Sequence, residues 1–587
     1  MTCRIPPLRR RLLVVAIASA LAELGGATQA LAAPTGGQVI AGTATIVSSP
    51  RVTAIDQSSH AAIINWASFN VGGGEAVRFS QPDAGAVTLN RVLAIDPSKI
   101  DGSITANGRI FIVNPNGVVF GSGARVDVGG LVVTSADVDN QAFMAGRYAF
   151  TQASPNVGAR IENSGLIRIA DTGLAALVAP EVANHGVITA RLGAVTLGGH
   201  ATFTLDLAGD GLIAFDTGTA APFAGSVAND GSIVADGGSV RLDAGAAAGV
   251  VGGVIDMSGV VQARSVTNRG GTIVLSGTAI DVSGELDASS SSAGNGGTIL
   301  IGGDRGGSGP DRNALTTTIA PHATIRADGA GFGDGGQVVI WSDQATRFDG
   351  TISARGGAAG KGGSVETSSR GMLTVDRGRV DASGGVGAGI WLMDPTDITI
   401  SNSTSGGVLA GGVFTPSAGT ATVDAGAIAS ALAGGTNVTI STSSAFGGSG
   451  DITVASPIAK PASATNVGLT LTADHDINVN QSITSAGGRL ALNLSAANAI
   501  TVNGAVSLPS AMTATANVIT LAPGAALTLA AEPSSGAQSI FQAPSFTQSA
   551  GSTIAVAAGM RSCKSSSVAW NCGSEAKRFC IGWPSIR

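Results

Sequence analysis

Apolar and polar residues alternate with a period of two along most of this chain, in short runs broken by Gly, Asn or Asp. That period belongs to strands with one buried face. The runs repeat. "GGTIVLSG" starts at Gly270, "GGTILIGG" at Gly296, "GGQVVIWS" at Gly335 and "GGSVETSS" at Gly362, at intervals of 26, 39 and 27 residues. The long interval holds "GGDRGGSGPDRNALTT" from Gly302, a polar loop that accounts for its extra residues. Upstream, "ENSGLIRI", "ANHGVITA" and "ANDGSIVA" place Asn163, Asn184 and Asn229 at equivalent positions. Direct repeats of one strand-turn unit favour a parallel β-solenoid over an array of β-sandwiches. At roughly 20–27 residues per coil, about 20–26 rungs would make a rod on the order of 100 Å long.

"IFIVNPNGVVFG", residues 110–121, predicts a corner within one rung. Pro115 fixes φ for position i+1 of a type I turn, with Asn114, Asn116 and Gly117 at the other three places. The two apolar arms then lie on adjacent faces of the coil.

Composition narrows the core. Aromatic residues are 4% of the 587-residue chain, charged residues 12%, and there are 86 glycines. Val, Ile, Leu and Ala must therefore fill a thin interior. Residues 1–32 read as a secretory signal: Arg4, Arg9, Arg10 and Arg11 precede the apolar run Leu12 to Ala22, and Ala30-Leu31-Ala32 supplies a cleavage site after Ala32. The eleven-residue apolar run is too short to span a bilayer. Without these residues the balance is 29 basic to 38 acidic, a net charge of −9, which disfavours nucleic acid as a partner. Cys563, Cys572 and Cys580 crowd into the end of the chain, and residues 33 to 560 contain no cysteine.

A longer ordered set of residues lies between 35 and 140. It comprises Ile64, Asn65, Trp66, Phe69 and Asn70; Phe79 with Gln81-Pro82; Leu89-Asn90-Arg91-Val92; Gly102, Ile104 and Asn107-Gly108; and Asn114-Pro115-Asn116-Gly117 with Phe120-Gly121. In this order the segment resembles the two-partner secretion domain of filamentous haemagglutinin-type exoproteins. The likeness is closest over 35–140 and looser to about 290, and "GIWLMDPTDITI" (389–400) is a second phrase common in such proteins. Some relatives carry an Asn-Pro-Asn-Leu motif ahead of Asn-Pro-Asn-Gly; this sequence has none. The resemblance implies an all-β, elongated, right-handed parallel β-helix. It also implies export through the periplasm and through a partner outer-membrane β-barrel transporter with periplasmic recognition domains. Asn114, Pro115, Asn116, Gly117, Asn65, Trp66 and Phe69 are the secretion-domain residues it singles out.

The expected organisation is a signal (1–32), a secretion domain with the first rungs (33–290), Gly-rich rungs (291–400), a further solenoid (401–560) and an atypical tail (561–587). The tail reads as a shifted or truncated frame, or as a disulfide loop that retains the protein at the cell surface. No catalytic constellation stands out. Asp101, Asp236, Asp328 and Asp334 sit beside glycines where turn formation explains them. His60, His185, His200, His322 and His475 are far apart, as isolated surface residues would be, and form no metal-ligand pair. "GFGDGG" (331–336), "GGAAGKGG" (356–363) and "GGSGPD" (306–311) read as solenoid loops, not nucleotide or calcium sites. No cofactor is expected. The leading expectation is a secreted or cell-surface adhesin whose receptor is not legible. The stem of a contact-dependent toxin and a β-helical polysaccharide enzyme are the alternatives.

Overall fold

The computed structural model describes residues 33–207, 213–215, 224–246, 252–266, 269–402, 407–410, 413–416, 421–444, 447–530 and 539–556, with strands at 568–571 and 578–580. The signal, its cleavage site after Ala32, and Cys563 and Cys572 lie outside the described residues.

A typical turn of the coil is three short strands. In one rung, Arg109–Val113 lies on the first face, Gly117–Phe120 on the second and Arg125–Val128 on the third. The next rung returns to the first face at Gly130–Thr134, in parallel register with Arg109–Val113. Among the described residues, seventeen parallel strands stack on the first face, from Ala61–Trp66 to Ile540–Gln542. At about 4.8 Å per step they span roughly 75–80 Å. Gln38–Ala41 pairs antiparallel with the first of them, and Arg578–Cys580, in the atypical tail, antiparallel with the last. The fold is the parallel β-helix that the alternation implied.

Stacked aliphatics make the core. On the third face Val77, Ile104, Val126, Ile167, Ile188, Ile233, Val261, Leu286, Ile325, Ile352 and Val380 follow one another in register. All are buried. β-Branched side chains suit this position because the sheet is covered on its inner side and their stiff rotamers pack against the rung below. The Gly-Gly intervals are rung steps: Thr272, Thr298, Gln337 and Ser364 are consecutive register partners.

The coil has fewer rungs than even spacing predicts because three excursions leave it. Leu131 pairs with Ala175, 44 residues on; Ala194 pairs with Ser239 after 45, and Ile390 with Asn437 after 47. The first two excursions form an outer layer. It consists of helix α1 (Asn140–Met144) and an antiparallel sheet of Tyr148–Phe150, Phe203–Leu205 and Ile213–Phe215. The third excursion inserts Ala421–Val423 between Met372–Val375 and Ile398–Ile400 on the second face. It continues into helix α2 (Ala425–Gly434), capped by Asp424, whose carboxylate accepts from the Ala427 N–H at 2.7 Å. The third-face sheet ends at Arg379–Asp381 and resumes at Ile458–Lys460. Ile428 and Leu432 of α2 join the same core as Val380 and Ile458, so the helix fills the gap between the two sheets.

Candidate functional site

The Asn-Pro-Asn-Gly corner is a closed turn. The Gly117 N–H donates to the Asn114 carbonyl at 2.9 Å, and the Asn116 N–H to Asn114 Oδ1 at 2.9 Å. Asn114 is fully buried, and its Nδ2 donates to the Asp96 carbonyl and to Ser98 Oγ in the preceding rung. Asn116 Nδ2 donates to the Ala94 carbonyl at 3.0 Å. On the opposite side, Ser154 Oγ donates to the Pro115 carbonyl at 2.6 Å. Gly117 has φ of +100°, and a Cβ there would lie 2.1 Å from the Arg160 carbonyl oxygen. The turn therefore binds the corners on either side of it.

The other residues of the resemblance divide by position. Trp66 points into the core, edge-on to Phe69 at 5.4 Å, and its Nε1 donates to Asn90 Oδ1 at 3.0 Å. Asn90 Nδ2 in turn donates to the Phe111 carbonyl, so three consecutive first-face strands share one buried polar chain. Asn65 is half-buried and stands opposite Gln38. Gln81 and Asn107 clasp each other: the Gln81 N–H donates to Asn107 Oδ1, and Asn107 Nδ2 to the Gln81 carbonyl. Gln81 Oε1 also accepts from the Gly108 N–H.

Arg91 does something the sequence did not disclose. Its Nε donates to both Asp137 oxygens at 2.9 and 2.8 Å, its second nitrogen to Asn140 Oδ1, and its third to the Val138 carbonyl. These groups begin the outer layer. The layer's Phe143, Tyr148, Phe150 and Phe203 pack on the outward side of the first face, against Ile63, Leu89, Phe111 and Val178. Burial pushes the Tyr148 hydroxyl above its ordinary range, with Arg109 opposing. A charged residue in the apolar run "VTLNRV" was the available signal, since a buried guanidinium requires partners.

The second excursion is held by charge. His200 is buried, not at the surface as its isolation in the sequence suggested; its ring stacks on Phe215, centroids 4.0 Å apart, and its Nε2 lies 2.8 Å from Asp243 Oδ1. Burial alone would raise the Asp243 carboxyl, but His200 and Arg241 together hold it below its usual range. Arg241 reaches on to Asp311 at 2.7 Å, in the polar loop that begins at Gly302.

Corner carboxylates serve the neighbouring rung more than their own turn. Asp236 accepts from the Arg264 N–H, Asp328 from that of Arg355 and Asp334 from that of Lys361, each one rung on. Asp451 similarly accepts from the Asp476 N–H and lies 2.8 Å from His475 Nδ1, a bond that raises the imidazole above its ordinary value. Asp451, His475 and Asp476 thus converge, but each carboxylate is occupied by rung-to-rung hydrogen bonds, Asp476 by Asn498 and the Ala499 N–H. The loops "GFGDGG" and "GGAAGKGG" also stack on each other, the Gly357 N–H donating to the Gly333 carbonyl.

Comparison with known proteins finds a likeness over the motif-bearing rungs and the outer layer. The family model of the TPS secretion domain matches residues 28–289. The heme/hemopexin-binding protein of Haemophilus influenzae (strain ATCC 51907 / DSM 11121 / KW20 / Rd) is 40% identical over 116 residues, 19% of this chain and 13% of that protein. A second heme/hemopexin-binding protein of Haemophilus influenzae is 41% identical over 98 residues, 17% of this chain and 11% of its own length. Among solved structures, the HMW1 secretion domain from Haemophilus influenzae matches with a TM-score of 0.51 and 29% identity, over 62% of this chain and all of that one.

Proposed function

We propose, from the premise that this chain is a two-partner secretion exoprotein with its TPS secretion domain at residues 28–289, that it is an adhesin delivered to the cell surface or the medium by a partner outer-membrane transporter. The observation that carries the reading is what the family match contains. It covers the rungs that hold the Asn-Pro-Asn-Gly corner, the Arg91 contacts and the outer layer.

The chemistry supports passage as an extended chain. Residues 33 to 560 lack cysteine, so no disulfide in this stretch has to form or break during transit. An aliphatic coil can assemble rung on rung, each new strand pairing with the edge the last one leaves. The stack of first-face strands, seventeen among the described residues, presents a long repetitive surface and suits distributed contacts, which supports a binding role over catalysis. The ligand named for the Haemophilus relatives belongs to proteins of which the match covers 13% and 11%; the likeness supports shared export, not a shared ligand.

The test is fractionation of the producing organism with the partner transporter present or deleted. The chain is expected outside the cell in the first case and held in the periplasm in the second. Adherence of cells to an epithelial monolayer should fall when the chain is deleted. Unchanged adherence would overturn the adhesin reading and leave export standing.

A further inference from the structure

Among the described residues, the corner that carries Asn-Pro-Asn-Gly also carries the secretion domain's most exposed large apolar side chains. Ile95 is 88% exposed, Val157 66% and Leu93 62%. Leu93 and Ile95 lie on the loop one rung before the motif, and Val157 on the loop one rung after it. Chance exposure on a loosely held loop does not describe them. Asn116 and Asn114 donate to the carbonyls of Ala94 and Asp96, alternating with the two exposed residues, and so fix the loop with Leu93 and Ile95 turned outward. Ser154 fastens the Val157 loop to Pro115. The described chain also enters the rod here: Thr35 bridges Ser68, on the corner one rung before Leu93.

We propose that Leu93 and Ile95, with Val157 two rungs on along the same edge, form the apolar docking point for the periplasmic part of the partner transporter, and that Asn114 and Asn116 are positioning residues that present it. This rests on the export reading above. One buried and one half-buried amide spent on holding an exposed apolar loop make sense if the loop is covered by something else during its working life. The transporter is the occupant because the patch belongs to the secretion domain and sits where the chain enters the rod, the end that a transporter handling this domain meets.

The experiment replaces Leu93→Ser and Ile95→Ser together in the full chain, in the native organism. The control is Phe332→Ser with Val386→Ser, which removes 84% and 62% exposed side chains beyond residue 289. Secretion of the first variant is expected to drop at least about tenfold, with periplasmic accumulation, while the control is secreted normally. A photo-crosslinking residue at position 95 should capture the outer-membrane transporter, identified by mass spectrometry. Circular dichroism and thermal melting of the first variant should match the wild type, separating recognition from folding. Normal secretion of the Leu93/Ile95 variant would overturn the proposal and leave the export reading intact. So would a variant secreted normally but shifted from dimer to monomer in light scattering, which would assign the patch to a second copy of the chain. If the wild-type chain were secreted equally without the transporter, the export reading would fall, and this proposal with it.

Discussion

Asn163 Nδ2 donates to Asn184 Oδ1 at 2.8 Å across one rung, with both side chains fully buried. Asn184 passes the pattern on to Asn229 Oδ1 at 2.7 Å, and Asn229 ends it against the Met257 sulfur. Each interior amide is donor to one neighbour and acceptor from the other. Asn184→Leu would strand a donor on Asn163 and an acceptor on Asn229, each costing about 1–3 kcal/mol. Replacing all three by Leu leaves none of these amides unpaired. The triple variant is therefore expected to be less destabilised than the sum of the three single ones in urea unfolding; additive losses would mean that the amides do not act as a chain.

The Arg91 contacts give a local prediction. Arg91→Ala removes four hydrogen bonds to 137–140, two of them to one carboxylate, and leaves Asp137 partly buried without its cation. A loss of about 2–4 kcal/mol in the attachment of the outer layer follows. A lysine at this position would not restore it, because an ammonium lacks the planar fork that reaches three acceptors at once. Hydrogen exchange should accelerate at Phe143 and Tyr148 in both Arg91→Ala and Arg91→Lys, while the third-face strands stay protected. Uniform acceleration across the rod would argue against a separately attached layer.

Acid should loosen the corners. Burial alone would raise the Asp236 and Asp328 carboxyls. For Asp236, hydrogen bonds from the Arg264 side chain and backbone and from Gln262 outweigh it; for Asp328, bonds from Arg355 and Ser353 do. Both groups are held below the ordinary carboxylate range in the fold. Their contribution is thus present above the unfolded value near 4 and is lost as pH falls through the lower folded values. Glu366 and Asp394, raised by burial, act oppositely and favour the fold as they protonate. The urea midpoint of the full chain should decline below about pH 4, and Asp236→Asn with Asp328→Asn should shrink that decline. An identical pH profile in the double variant would assign the acid sensitivity to other groups.

What the sequence disclosed follows from what has a period. At Gly271 and at both glycines of the three later pairs a neighbouring backbone passes too closely for a Cβ, so the 26-, 39- and 27-residue intervals measured true rung steps. Excursions have no period, and averaging over them inflated the rung count. Helix α2 was hidden differently. "DAGAIASALAGG" has an Asp N-cap, an alanine-rich body and Gly435 at φ +99° as its stop, yet its alternation with small residues reads as one more Gly/Ala-rich strand. The Arg91 contacts join segments 46 to 49 residues apart, a relationship that no local pattern can carry.

The final prediction concerns Gly117, and it separates a corner that export needs from one that merely tolerates glycine. At φ +100° any other L-residue is strained, by about 1–3 kcal/mol. Here space is also lacking, since the added Cβ would meet the Arg160 carbonyl that accompanies the next rung. Relief would require Gly117–Phe120 to move away from Arg160–Asn163, breaking their register and the Asn114 and Asn116 bonds to the loop before them. Gly524 is the fitting comparison, with φ of +82° and nothing within 4 Å of an added Cβ, in a rung beyond the secretion domain. Gly117→Ala is expected to leave the chain degraded or retained in the periplasm, and Gly524→Ala to lower stability slightly while secretion continues. Equal secretion of the two would mean that the transporter reads the chain before this corner has folded, and that the turn matters only to the finished rod.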